Sequence, residues 1–202
     1  MGLPLVIEDF EELGPIAFRP NKPVTDEEFI ALCERFEHHD VEVSAEGEVT
    51  VLPMPYSKTS RRNAEVVFQL TAWARQNGIG QVFGPDLGVI LPNGARRGPD
   101  AAWIRKDRIA RLPEWEQDRF FRLAPDFVIE IRSTWDRLGR LKSKMREYIA
   151  NGVKLGWLID PDERSVWIFR PDREPEQLVD PATVAGEDPI DGFVLDLTEI
   201  WS

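Results

Sequence analysis

The stretch "APDFVIEIRSTWDRLGRLKSKMREYIANG" (residues 124–152) sets one carboxylate inside an apolar strand and then a run of cations on a helix. "DFVIEIRS" has the length and composition of a core strand, and "DRLGRLKSKMREYIANG" has helical periodicity, with Asp136 as the expected N-cap and Gly152 just past the end. Alternation sends Phe127, Ile129 and Ile131 to one face and Val128, Glu130 and Arg132 to the other. An unpartnered buried charge costs several kcal/mol, so Glu130 requires a partner. Arg132, Arg137, Arg140, Lys142, Lys144 and Arg146 follow it, opposed only by Asp136.

The remaining chain supplies strands around this unit. Residues 1–23, with prolines at 4, 15, 20 and 23, read as an N-terminal arm, and residues 24–202 as one domain. "TDEEFIALCERFE" opens with Thr25 and Glu28 at capping-box spacing. "VEVSAEGEVTVLPMP" alternates on both sides of a turn at residues 45–48, the pattern of a hairpin. "SKTSRRNAEVVFQLTAWARQNG" is a second helix, with Val66, Val67, Leu70, Trp73 and Ala74 on its apolar side and a stop at Asn77-Gly78. "GQVFGPDLGVILPNGARRGPDAAWIR" holds two or three strands broken by Gly84-Pro85 and by the hairpin signal Asn93-Gly94. Residues 107–122 suggest one or two irregular helical turns around Pro113. "KLGWLID" and "SVWIFRP" form a hairpin across residues 161–164, and "GFVLDL" is a last apolar run. Strands interleaved with few helices predict an α/β (α+β) fold, a mixed sheet with helices on its faces.

Bulk properties narrow the function classes. A net charge of -11 excludes a protein that coats nucleic acid through its whole surface, while leaving room for a local basic groove. Cys33 is the only cysteine, so no intrachain disulfide and no two-cysteine metal motif can form. No apolar stretch approaches the roughly 18 residues of a membrane span, and the chain reads as cytoplasmic.

Asp100 begins the strand "DAAWI" after Gly98-Pro99, so one carboxylate opens a strand and a second lies within the next core strand. Two carboxylates about 4 Å apart repel by roughly 1 to 4 kcal/mol, which a divalent cation relieves. Oxygen ligands of this kind suit Mg²⁺ or Mn²⁺, and the Ile131 carbonyl is a further candidate ligand. Such an ion polarises a phosphodiester, so the reaction class implied is phosphodiester hydrolysis. Arg132 can clamp phosphate but cannot act as a base, whereas a lysine is tunable. Lys142 and Lys144 flank the stripe Leu141, Met145, Tyr148 and Ile149 at nearly equal angles, and periodicity does not choose between them. Glu65 shares the polar side of the second helix with Arg61, Arg62 and Gln69; it is either a surface pair or an additional acid on the metal side. Lys58, Arg61, Arg62, Arg96 and Arg97 add positive charge next to these acids, which marks Arg62, Arg97, Arg132 and Lys142 as candidate phosphate or DNA contacts.

The segments "RNAEVVFQLTAWARQNGIGQVFGPDLGVILPNGARRGPDAAWI", "PDFVIEIRSTWDRL", "KMREYIANGVKLGWLIDP" and "GFVLDL", in that order, resemble the Uma-two type restriction endonuclease family of the PD-(D/E)xK nuclease superfamily. The resemblance spans about residues 24–201. It implies a restriction-endonuclease-like core, here with an additional N-terminal helix and hairpin, and metal-dependent cleavage of DNA. Nucleases of this superfamily are often dimers, so it also implies a homodimer. By position it makes Asp100 and Glu130 the metal-binding acids, Lys144 the catalytic lysine moved onto the helix, and Glu65 the acid of the early helix. Arg132 stands where the superfamily pattern has lysine, and Trp135 where the branch often has proline. The rival reading is a catalytically silent nucleic-acid-binding module of the same fold.

Overall fold

Three apolar clusters organise the protein, and the candidate residues fall between two of them. The computed structural model describes residues 14–117 and 119–202. Strands β7 (Ala101–Arg105), β8 (Phe127–Ile131), β9 (Leu155–Asp160) and β10 (Ser165–Phe169) form the centre of a six-stranded sheet. Strand β4 (Gly80–Phe83) closes one edge and β11 (Glu176–Val179) the other. The β8–β9 pair is parallel and the others antiparallel, so the sheet is mixed. Every residue of β8 and β9 is buried, as a strand covered on both faces requires.

On one face Phe127, Ile129 and Ile131 pack with Val66, Leu70 and Ala74 of helix α2 (Ser57–Asn77). The C-terminal residues Phe193, Leu195, Leu197 and Ile200 complete that layer. On the other face Val128 and Leu158 pack with Leu141, Met145 and Tyr148 of helix α5 (Leu138–Ala150). The third cluster belongs to a second, five-stranded sheet of β1 (Ile16–Phe18), β3 (Val49–Leu52), β2 (Asp40–Val43), β6 (Arg96–Arg97) and β5 (Val89–Ile90), in that order. Helix α1 (Asp26–Arg35) covers it through Phe29, against Val43, Val49 and Val51. Short helical turns α3 (Lys106–Ile109) and α4 (Glu114–Gln117) flank Pro113.

Local signals act as their chemistry demands. Thr25 and Glu28 exchange backbone hydrogen bonds as a complete capping box on α1. Gly78 ends α2 in the left-handed region at φ 70°, its N–H donating to the Ala74 carbonyl. Gly80 is required for a different reason, since a Cβ there would stand 2.1 Å from the Trp103 ring. The Asn93-Gly94 turn joins β5 and β6.

Four features differ from the sequence reading. Asp136 does not cap α5; the backbone N–H and hydroxyl of Ser133 donate to its carboxylate, and Arg137 is the N-cap residue without a side-chain cap. The arm expected over residues 1–23 lies outside the described residues as far as residue 13, and within the rest Ile16–Phe18 pairs with β3. The three residues Ile16–Phe18, set between Pro15 and Pro20, suffice for an edge strand, where the missing proline donors are harmless. Strand β11 and the pair β12 (Thr183–Ala185) and β13 (Val194–Asp196) bear mostly exposed residues, so β11 and β12 carry too little apolar alternation to be read as strands. The strands also divide between two main sheets rather than filling one. Among the described residues, no helix is long and apolar enough to cross a membrane.

Candidate active site

Register brings the first two acids together. Ala101 pairs with Ile129 across the antiparallel β7–β8 ladder, so one step further Asp100 stands opposite Glu130. Asp100 accepts from the Ile131 N–H at 2.7 Å and from Asn63 Nδ2 at 2.9 Å. Glu130 projects to the α5 side of the sheet. There Lys144 Nζ approaches its two oxygens at 2.8 and 2.9 Å, and the Tyr148 hydroxyl donates to it at 3.1 Å. The partner that the buried Glu130 required is therefore Lys144, not Arg132.

The geometry also separates the two lysines. Lys144 is one-tenth exposed and faces the acids, whereas Lys142 lies over the Trp167 ring, 3.1 Å from its centroid. Lys144 has a second partner in Glu42 of β2, at 2.7 Å, and donates to the Gly98 carbonyl at 3.0 Å. Glu42 is held in turn by Arg97 at 3.1 Å, and Arg97 bridges to Glu147 of α5 at 2.6 Å. These pairs, with the Arg140–Thr50 contact, tie α5 to the five-stranded sheet.

Acids outnumber cations in this cluster, and the protonation equilibria reflect it. Burial first, and then the neighbouring Asp100 and Glu42, outweigh Lys144 and push the Glu130 carboxyl up to about 8. Burial likewise lifts Asp100 to about 6, against the donors Ile131 N–H and Asn63 and the charge of Lys144. Glu42 behaves in the opposite way: despite its burial, Lys144 and Arg97 hold it below the usual range. Burial also opposes the Lys144 charge, but Glu130 and Glu42 reverse that and keep it firmly cationic. Lys144 thus stays charged, with Glu42 as its most secure counter-ion, and the proton resides more readily on Glu130.

The other candidates are placed as follows. Arg132 donates to the fully buried Asp160 at 2.9 Å and is one-quarter exposed. Arg62 donates to the Ile200 carbonyl at 2.9 Å, and Arg97 is consumed by its two acids. Glu65 accepts from Gln69, whose amide also binds the Asp196 backbone; that flank of α2 is turned away from the inward Asn63. The structure therefore brings together Asp100, Glu130, Lys144 and the Ile131 backbone, and gives Glu65, Arg62, Arg97 and Lys142 other partners.

Sequence reasoning missed Glu42, Asn63 and Tyr148. Glu42 carried the same signal as Glu130, an acid between Val41 and Val43 in a strand, but alternation assigns it to a polar face without saying whether that face is covered. Asn63 recurs with Thr59, Val66 and Leu70 on the buried side of α2, a helical spacing that its polarity concealed.

The side chains gathered here are of the oxygen-donor type that hard cations take, without forming a complete cage. Among the described residues no group of three or more His, Cys, Asp or Glu side chains is arranged to hold an ion. What is present fits in kind: two carboxylates whose charge is disfavoured and, beside Asp100, the buried Oδ1 of Asn63, which accepts from no donor among the described residues. Mg²⁺ usually takes one or two carboxylates and completes its shell with water and substrate oxygens.

A mixed sheet with α2 and α5 on its faces and paired acids on adjacent strands defines a restriction-endonuclease-like fold. The crystal structure of a protein described as a putative nuclease belonging to DUF820, from Anabaena variabilis, superposes with a TM-score of 0.75 at 28% identity, covering 89% of this chain and 98% of that one. The protein belongs to the Uma2 family, described as "Putative restriction endonuclease", whose profile matches residues 26–198. Nothing among curated proteins matches the chain.

Proposed function

We propose that the protein is a divalent-cation-dependent DNA endonuclease. The observation that carries this reading is the convergence of Asp100, Glu130 and Lys144 from two strands and a helix, with both carboxyls raised above their ordinary values. Asp100, Glu130 and the Ile131 carbonyl are the groups to hold Mg²⁺ or Mn²⁺, and the bound ion supplies Lewis-acid polarisation of the phosphodiester. Asn63 orients Asp100 through the hydrogen bond it donates. Lys144, fixed by Glu42 and the Gly98 carbonyl, presents a permanent positive charge to the charge that develops at phosphorus, and stabilises it electrostatically. Arg132, braced by Asp160, holds a phosphate oxygen. Glu65, which accepts from Gln69, is assigned no role in this reading.

A second reading is a nucleic-acid-binding module without turnover. It is favoured by one observation: donors from the chain already engage both oxygens of Asp100 and of Glu130. Incubation of supercoiled plasmid with Mg²⁺ or Mn²⁺ decides between the two. Cleavage by the unmodified protein and its loss in Asp100→Asn support the endonuclease. Cleavage retained in Asp100→Asn removes the mechanism, and salt-sensitive binding without cleavage in either ion establishes the module.

A further inference from the structure

The loop leaving β8 carries an aromatic feature that the cleavage chemistry does not use. Trp135 lies between Glu130 and α5, and the Tyr56 ring meets it at a centroid distance of 5.5 Å and a tilt of 44°. Tyr56 precedes α2 and is 56% exposed, although a large aromatic ring has most to gain from burial. Gly14 packs close to Trp135: a Cβ there would stand 3.3 Å from its ring. Its loop is stiffened by the two hydrogen bonds that Ser133 donates to Asp136.

Both rings are joined to the candidate site through the segments that carry them. The loop begins at the residue after Ile131, whose N–H holds Asp100. Helix α2 starts at Tyr56 and presents Asn63 to the same carboxylate. A cation follows each ring at two residues' distance: Lys58 after Tyr56, and Arg137 after Trp135. Both are exposed, and neither forms an ion pair among the described residues.

We propose that Tyr56, backed by Trp135, is a nucleobase-stacking subsite flanked by phosphate-attracting Lys58 and Arg137, so that the preferred substrate is single-stranded or frayed DNA. The inference rests on the endonuclease reading and names its substrate class. An exposed ring with cations beside it is the arrangement that holds an unpaired base while the backbone is held electrostatically. A base inside an intact duplex stack cannot offer its face to such a ring. The fixed Trp135 removes the ordering cost that a mobile aromatic would pay on binding.

The test measures fluorescence anisotropy of a fluorescein-labelled oligodeoxythymidine with the full chain at low salt in EDTA, so that no cleavage intervenes. Tyr56→Ala should weaken binding about 5-fold or more, and Tyr56→Phe should bind as the unmodified protein does. Tyr56 makes no side-chain cap on α2, so its removal leaves the helix start intact. An abasic oligonucleotide of the same length keeps the phosphates; it should bind the unmodified protein weakly and lose nothing further in Tyr56→Ala. Unchanged affinity of Tyr56→Ala for oligodeoxythymidine, an equal loss on the abasic strand, or no binding by the unmodified protein overturns the inference. The endonuclease reading is judged apart, by plasmid cleavage in Asp100→Asn, so its failure and that of the stacking subsite are told apart.

Discussion

The two ends of β8 each bury carboxylate, under opposite charge balances. At the start, Asp126 is 1% exposed; it meets Arg108 at 2.9 Å and Lys154 at 3.9 Å and accepts from the Arg105 N–H at 3.0 Å. One acid there faces two cations and a donor, which is the composition of a brace. At the far end Asp100, Glu130 and Glu42 share Lys144 and Arg97, and Glu147 takes part of Arg97 as well. Burial alone does not separate the two ends. The excess of acid over base does, because only an unmet excess of negative charge leaves a task for a cation from solution.

The largest effect that sharpens this comparison is on turnover. Asp100→Asn and Glu130→Gln should each lower plasmid cleavage by about 10²- to 10⁴-fold, whereas Asp126→Asn should leave it unchanged. Equal losses at the two ends would erase the distinction. The brace should instead show itself in stability. Removing one partner of a fully buried pair costs about 3–5 kcal/mol, and because Arg108 is nearly one-third exposed, Asp126→Ala should fall below that range on urea unfolding.

Next in size is the pH dependence of the metal-free protein. The folded-state values of Glu130 and Asp100 are raised, so the native state binds the extra protons and stability must fall as pH rises. Glu130 contributes over the window from 4.5 to about 8 and Asp100 from 3.8 to about 6, each at no more than about 1.4 kcal/mol per pH unit. Urea midpoints in EDTA between pH 4 and 8 should follow this decline, and Glu130→Gln should flatten its upper part; a rise across the window contradicts the acid excess. The smallest effect belongs to Lys142, whose contact with Trp167 is worth about 0.5–1 kcal/mol. Lys142→Ala should cost that much in thermal stability and nothing in cleavage.

Much of the frame was legible in the sequence because its signals are local. The Thr25–Glu28 box, the Asn77-Gly78 stop, the Asn93-Gly94 turn and the apolar β8 each act within a few residues, and the structure realises all four. Glu130 was legible through cost, since a buried acid demands a partner. Periodicity did not choose Lys144, because both lysines border one apolar stripe; the resemblance did, and in the structure Lys144 meets Glu130 and Glu42 while Lys142 lies over Trp167. The partners of the clustered cations within the protein were not legible. In a chain with 36 acidic and 25 basic residues, Arg62, Arg97 and Arg132 find carbonyls or carboxylates within the protein. Pairing across distant segments is fixed by tertiary structure, which periodicity does not encode.

Calorimetric titration of Mn²⁺ into the full chain and its variants tests the acid excess most directly. Saturable binding by the unmodified protein and by Asp126→Asn, lost in Asp100→Asn and Glu130→Gln, is the result expected. Undiminished binding by those last two variants, or no binding by the unmodified protein, contradicts a cation site at the Glu130 end of β8.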